Sequence, residues 1–229
     1  MPRLPEVGSA AITNPFVKAS YKNKFGDQEF ETAPGNAWGG VRGNWETVMA
    51  NSQEALETVV KSMAWVYNRE KFKLPLTLRE CALMRIGWVV ESQFVFSQRS
   101  KIARTVGMSE EQIQAIPGWQ VSDLFSPAER AVIAYVDSLI LMNGRVADQI
   151  FDALKQHLTA EQIVDLTHVS NMYIGFAKQS RAFRVEFDDR DDPIVEVPTT
   201  TEQGHLPPLD IRGAERAERE SREKEEAQA

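Results

Sequence analysis

The sequence predicts an all-α protein: a helical domain of two similar units, preceded by an extended arm and followed by a charged tail. Three observations carry this. From about residue 44 to 185, apolar residues recur at helical spacing. The same stretch holds Ser/Thr-led helix starts at Thr77, Ser109, Ser126 and Thr159. No segment alternates apolar and polar residues as a half-buried strand does.

Residues 1 to about 42 are rich in Gly, Pro and Asn and end in TAPGNAWGG, which predicts an extended arm with turns. Phe16, Tyr21, Phe25, Phe30 and Trp38 are too apolar for a free tail, so the arm is expected to pack on the body or on a neighbouring subunit. Trp45, Val48, Ala55, Val59, Met63 and Val66 predict a helix over 44–68. Pro75 breaks the chain. Thr77-Leu-Arg-Glu80 reads as a capping box, with Thr77 as N-cap and Glu80 reaching back to its N–H, and starts a helix to about Val90. A second helix runs from Ser92 to Val106 and ends at Gly107. Ser109 caps the short helix EEQIQAI, closed by Pro117-Gly118. Ser126-Pro-Ala-Glu129 is a further capping box with Pro at the favoured first position, opening a helix to about Met142. Val146–Leu158 and a long helix capped by Thr159 follow. The Thr77 and Ser126 boxes, each followed by a second cap, suggest an internal repeat. The domain is expected to span 44–187, and 188–229 to be an acidic, Pro-rich and charged tail, largely disordered.

The 229 residues suffice for one domain with a sizeable core, and 42% of them are apolar. A net charge of −7 argues against a nucleic-acid footprint, which needs a basic face. No apolar run approaches bilayer-spanning length, and MPRLPEVGSAAITNPF lacks the apolar core of a signal peptide. The expectation is a cytoplasmic protein with no membrane partner. Cys81 is the single cysteine, so no dithiol centre or disulfide forms within one chain. His157, His168 and His205 are scattered, and no Cys/His cluster suggests a metal.

The stretch RECALMRIGWVVESQFVFSQRSKIARTVG, residues 79–107, followed by MSEEQIQAI, resembles the signature of the carboxymuconolactone decarboxylase / alkylhydroperoxidase D superfamily. The Arg79-Glu80 pair, the Gly-Met-Ser-Glu-Glu-Gln-Ile turn and the segments SPAERAVIAYVDSL and LTAEQIVDLT carry the likeness over roughly 45–185. Redox members have a Cys-x-x-Cys-x-x-x-His segment. Here Ser92 and Val95 stand in the cysteine positions and Arg99 in that of the histidine. The resemblance implies the alkylhydroperoxidase D-like helical fold, a trimer or hexamer, no cofactor, and a pocket that has lost the peroxidase chemistry.

Glu80 matches the family's proton-relay glutamate, although the capping-box role is an equally direct reading. Ser92, Val95 and Arg99 lie at i, i+3 and i+7, on one helix face. Arg99 cannot shuttle protons, but it can clamp a carboxylate or stabilise an enolate-like oxyanion. The candidate catalytic residues are Glu80 and Arg99; Ser92, Gln93, Val95 and Phe96 are candidate substrate contacts. Trp88 and Phe94 read as core, Tyr173 and His168 as unremarkable residues of the last helix, and Cys81 as an apolar filler. The expected function is a cofactor-independent lyase or isomerase acting on a small acidic or lactone compound, as in aromatic-ring breakdown. A peroxidase using Cys81 alone and an inactive oligomeric binding protein are the alternatives.

Overall fold

Asn14-Pro15 opens the first helix, α1 (Pro15–Phe25). The Asn14 side chain accepts hydrogen bonds from the N–H groups of Phe16 (3.0 Å) and Val17 (3.1 Å). Pro15 sits in the first turn, where an N–H has no helical partner to lose. The structure is a computed structural model that describes residues 1–27, 29–32, 44–188 and 193–196. The arm is therefore not extended throughout: the cap-plus-proline signal that marks Ser126-Pro127 also operates at Asn14-Pro15. Trp38, residues 33–40 of the TAPGNAWGG run, Asp189, Asp191, Asp192, His205 and the charged tail lie outside the described residues.

The chain forms two compact units, one containing Met1–Lys71 and the other Phe72–Pro198. In the first, the helix expected over 44–68 is two helices, α2 (Trp45–Met49) and α3 (Gln53–Tyr67). They are separated at Ser52, whose side chain caps α3. Gln53 accepts from the N–H groups of Thr13 (2.9 Å) and Asn14 (2.8 Å), and Asn14 donates to Glu57 (2.6 Å). These bonds tie α1 to α3. Phe16 and Tyr21 are buried, and Tyr21, Phe25 and Phe30 form one ring cluster. The arm's aromatic residues thus pack within this unit.

The second unit is organised around α4 (Leu76–Val89), on which Leu78 to Gly87 are all buried. A helix buried all round must be a hub, and α4 packs against α5 (Gln93–Thr105), α7 (Pro127–Leu141) and α9 (Ala160–Phe183). The remaining helices are α6 (Glu110–Ala115) and α8 (Asp148–Lys155), the latter shorter than the expected 146–158 and without a side-chain cap. Capping boxes are present at Ser109, Ser126 and Thr159. Gly107 takes φ 93°, which releases the chain from α5. Cys81, Met84, Phe96, Met108, Ile113, Ile116 and Ile133 share one core cluster.

Two contacts fix the hub. A Cβ on Gly87 would lie 2.7 Å from the backbone nitrogen of Phe96, so only glycine lets α4 and α5 approach this closely. Arg85 forks onto Asp137 of α7 (2.6 and 3.0 Å) and donates to the carbonyls of Ile116 and Pro117. Trp119 donates to the same Asp137 (3.0 Å). Every described element is helix or turn, as expected, and among the described residues no helix is long and apolar enough to cross a membrane.

The Thr77 capping box does not form. Pro75 is the N-cap of α4, and the N–H of Arg79 bonds the Pro75 carbonyl (3.0 Å). Thr77 therefore falls inside the first turn and Glu80 a turn further in, facing the interior. α4-α5-α6 is followed by α7-α8-α9, and the opening caps of the two triplets differ: Glu129 closes a capping box and Glu80 does not.

Candidate functional site

Once it is freed from capping, the Glu80 carboxylate is wholly buried, at 0% exposure. A buried carboxylate costs several kcal/mol unless it is paired. Arg79 Nε donates to Oε1 (2.6 Å) and Arg99 Nη1 lies 3.5 Å from Oε2. Both arginines are themselves buried. The two guanidiniums compensate the burial of the carboxylate, and the cluster of three carries two positive charges to one negative.

Arg99 reaches this position from α5, and Tyr173 of α9 backs it. The guanidinium carbon sits 5.1 Å from the Tyr173 ring centroid, a cation–π contact, and Phe176 packs edge-on against that ring at 5.3 Å. Ser92, seven residues before Arg99, meets Ser180, seven residues after Tyr173: their Oγ atoms are 2.8 Å apart. Two pairs in reversed order, each separated by two helical turns, make α5 and α9 antiparallel neighbours along one seam. The expected common face of Ser92 and Arg99 is thus real, and it faces α9. Val95 is buried between them in sequence.

The other predicted contacts have local duties. The Ser92 hydroxyl caps α5 by accepting from Val95 N–H (3.2 Å) and donates to Asp188 (3.3 Å). Gln93 grips the backbone of Val195, accepting from its N–H (3.0 Å) and donating to its carbonyl. Phe96 belongs to the core cluster and lies against Trp88. The structure brings Glu80 and Arg99 together and leaves Ser92, Gln93 and Phe96 outside their hydrogen-bonded cluster. Asp188 is not a freely solvated member of an acidic run: it accepts from Phe94 N–H (3.2 Å) at the start of α5, and burial pushes its carboxyl up.

Arg79 and Tyr173 were missed as members of the cluster. Arg79 was visible as half of the Arg-Glu pair. Tyr173 carried no signal, because its partner is 74 positions away in sequence and the pairing exists only across α5 and α9. Cys81 adjoins Glu80 in sequence but points into the apolar cluster with 0% exposure, and burial pushes its thiol far above the usual range. His157 and His168 are exposed. Among the described residues no three His, Cys, Asp or Glu side chains group as a metal site.

This buried Arg-Glu-Arg cluster on an all-helical frame can be set beside known proteins. Residues 51–138 match the model of the Carboxymuconolactone decarboxylase family, which supports a place for this stretch in the carboxymuconolactone decarboxylase / alkylhydroperoxidase D-like superfamily. The uncharacterized protein YdfG of Bacillus subtilis (strain 168) is 28% identical over 96 residues, 42% of this chain. The match spans 65% of YdfG, just under two thirds of its length. Among solved structures, the debrominase Bmp8, as a cysteine-to-alanine variant with 2,3,4-tribromopyrrole, superposes with a TM-score of 0.61 at 16% identity, over 82% of this chain and 92% of that one. A protein of unknown function from Agrobacterium tumefaciens, described as a candidate antioxidant defence protein AhpD, gives a TM-score of 0.55 at 23% identity, over 59% of this chain and 91% of that one. A peroxidase-related protein with an alkylhydroperoxidase AhpD core from Ralstonia eutropha JMP134 gives 0.55 at 14%, over 70% and 84%. At these identities the structures establish a shared fold.

Proposed function

We propose that the protein is a cofactor-independent lyase or isomerase acting on a small carboxylate or lactone, with Glu80 as base and Arg99 as the anion-stabilising group. The observation that carries this is the placing of a buried carboxylate within reach of two buried guanidiniums, in the region that matches the family. Among decarboxylation, hydration, dehydration and isomerisation, the cluster favours reactions that begin with proton removal next to a carbonyl. In this reading the Glu80 carboxylate takes the proton and Arg99 faces the oxyanion that forms. The Tyr173 ring lies against the Arg99 guanidinium. A homo-oligomer in the cytoplasm belongs to the same reading; the lone Cys81, with no disulfide to form within the chain, suits a reducing compartment.

A second reading is favoured by one observation: Glu80 is completely enclosed. The cluster would then be a polar core, and the protein an inactive binding or scaffold member. Reduction of peroxide through Cys81 is disfavoured, since a buried thiol with a raised pKa is a poor nucleophile.

The test is turnover of a panel of small lactone acids, β-keto acids and unsaturated ring-cleavage acids, followed by mass spectrometry and by deuterium exchange at the carbon next to the carbonyl. The lyase reading expects one compound to react, Glu80→Gln to lower kcat by about 100-fold or more, and Arg99→Ala to raise KM. Exchange that persists unchanged in Glu80→Gln would sink the assignment of the base. Silence across the panel, with a Glu80→Gln loss of stability of about 3 kcal/mol, would favour the scaffold.

A further inference from the structure

The opposite side of α5 carries a group that the Glu80 cluster does not use. Lys101 is two residues from Arg99, about 200° around the helix. It is 4% exposed, and among the described residues its Nζ is buried with no hydrogen-bond partner. An ammonium group has three donors, and leaving all three unmet in the interior is costly. Such a group calls for an explanation, and a bound or reacting partner is one. One turn further on, Arg104 holds the carboxylate of Glu196 and that of Glu110. Glu196 belongs to the short extended segment that Gln93 grips at Val195, and Ile194 of that segment packs on the core cluster. Glu196 lies close enough to act on Lys101 electrostatically, and Gln93 and Arg104 hold residues 195 and 196 through side-chain contacts.

We infer that Lys101 is an amine nucleophile whose buried setting receives a small aldehyde or α-oxo acid as an imine. The Nζ lone pair attacks the carbonyl carbon while the C=O pair moves to oxygen. The carbinolamine then loses that oxygen as water, and a C=N bond remains. An amine must be neutral to attack. Burial, the largest influence, together with the charge of Arg104, lowers the Lys101 amine to about 8 against the opposing effect of Glu196. The site is independent of the Glu80 reading and would stand if that reading failed.

The experiment uses the full chain with glyoxylate as probe and sodium cyanoborohydride, which delivers hydride to the C=N bond and fixes it as a secondary amine. Labelled peptides are quantified by mass spectrometry from pH 6 to 10. At pH 7.5 an amine near 8 has a neutral fraction roughly 200-fold above that of an ordinary lysine near 10.4. Allowing for restricted access, Lys101 is expected to be labelled about tenfold above the next lysine, with half-maximal labelling near pH 8. Lys101→Met removes that label and leaves the others unchanged. Labelling of Lys101 no greater than that of surface lysines, a pH profile parallel to theirs, or labelling only after denaturation would overturn the proposal.

Discussion

Glu80 and Lys101 are opposite solutions to one problem, a charged side chain placed where water is excluded. Glu80 is met by two guanidiniums. Among the described residues Lys101 meets no hydrogen-bond acceptor, and it gives way by losing its proton more easily. This has a measurable sign. In the unfolded chain the amine titrates near 10.5 and in the fold near 8, so between those values the unfolded state holds the extra proton. Stability therefore rises with pH across that window, and the cost is fully present below it. Allowing for partial solvent screening, the cost at pH 7 is on the order of 1–2 kcal/mol. Lys101→Met is expected to stabilise the protein by about that amount at pH 7, with the gain vanishing above pH ~10.5; urea denaturation at both pH values checks it. Equal gains at both would mean that the amine is not the source.

Among the helices, caps and close approaches decide where each element begins. Ser109, Ser126 and Thr159 all cap as their sequences suggest, because a hydroxyl followed three residues later by Glu or Gln satisfies two orphan N–H groups at once. Thr77 has the same signature and fails, because Pro75 already supplies the carbonyl that starts α4. Ser126→Ala should cost about 1 kcal/mol, while Thr77→Ala should cost a few tenths at most. Thermal melting of the two variants separates them; equal losses would restore Thr77 as a cap. Gly87 belongs to this scale also. It was unremarkable in sequence, yet its missing Cβ sets the distance between α4 and α5, and so places Arg99 of one helix against Glu80 of the other.

At the scale of the whole molecule, the Phe72–Pro198 unit buries its cysteine at the centre of its core, which makes Cys81 a reporter of unfolding. The thiol should resist alkylation in the native protein and react at the rate of global opening. Burial keeps it neutral in the fold, whereas the unfolded chain ionises it from about pH 9.0 upward. Above that pH the unfolded state holds fewer protons, so stability falls as pH rises, by about 1.4 kcal/mol per unit from this group. Tyr21, also raised by burial, adds a fall in its own unit above pH 10.0. Cys81→Ala should remove this group's contribution, making the change in stability of the second unit from pH 7 to pH 10 more favourable than in the parent, while lowering its stability at pH 7 by about 1 kcal/mol through the lost volume. Paired denaturation curves at pH 7 and 10 would show it, and an unchanged alkaline slope would remove Cys81 as the cause.

Helical periodicity and cap chemistry are local, and by themselves they determined the all-α class, the positions of α4 to α9 within a few residues, and the family signature at Arg79-Glu80 and beyond. The loss of the paired cysteines and the histidine could also be read directly at Ser92, Val95 and Arg99. What Glu80 does was decided by tertiary structure alone. Both the cap and the buried ion pair were compatible with its sequence, and the choice fell to Pro75 before it and Arg99 nineteen residues after it. The partnership of Arg99 with Tyr173, the use of Asp188 at the start of α5 and the isolation of Lys101 also depend on residues brought together from distant parts of the chain. Local spacing fixes which way a side chain leaves its helix; what it meets there is set by how the helices pack.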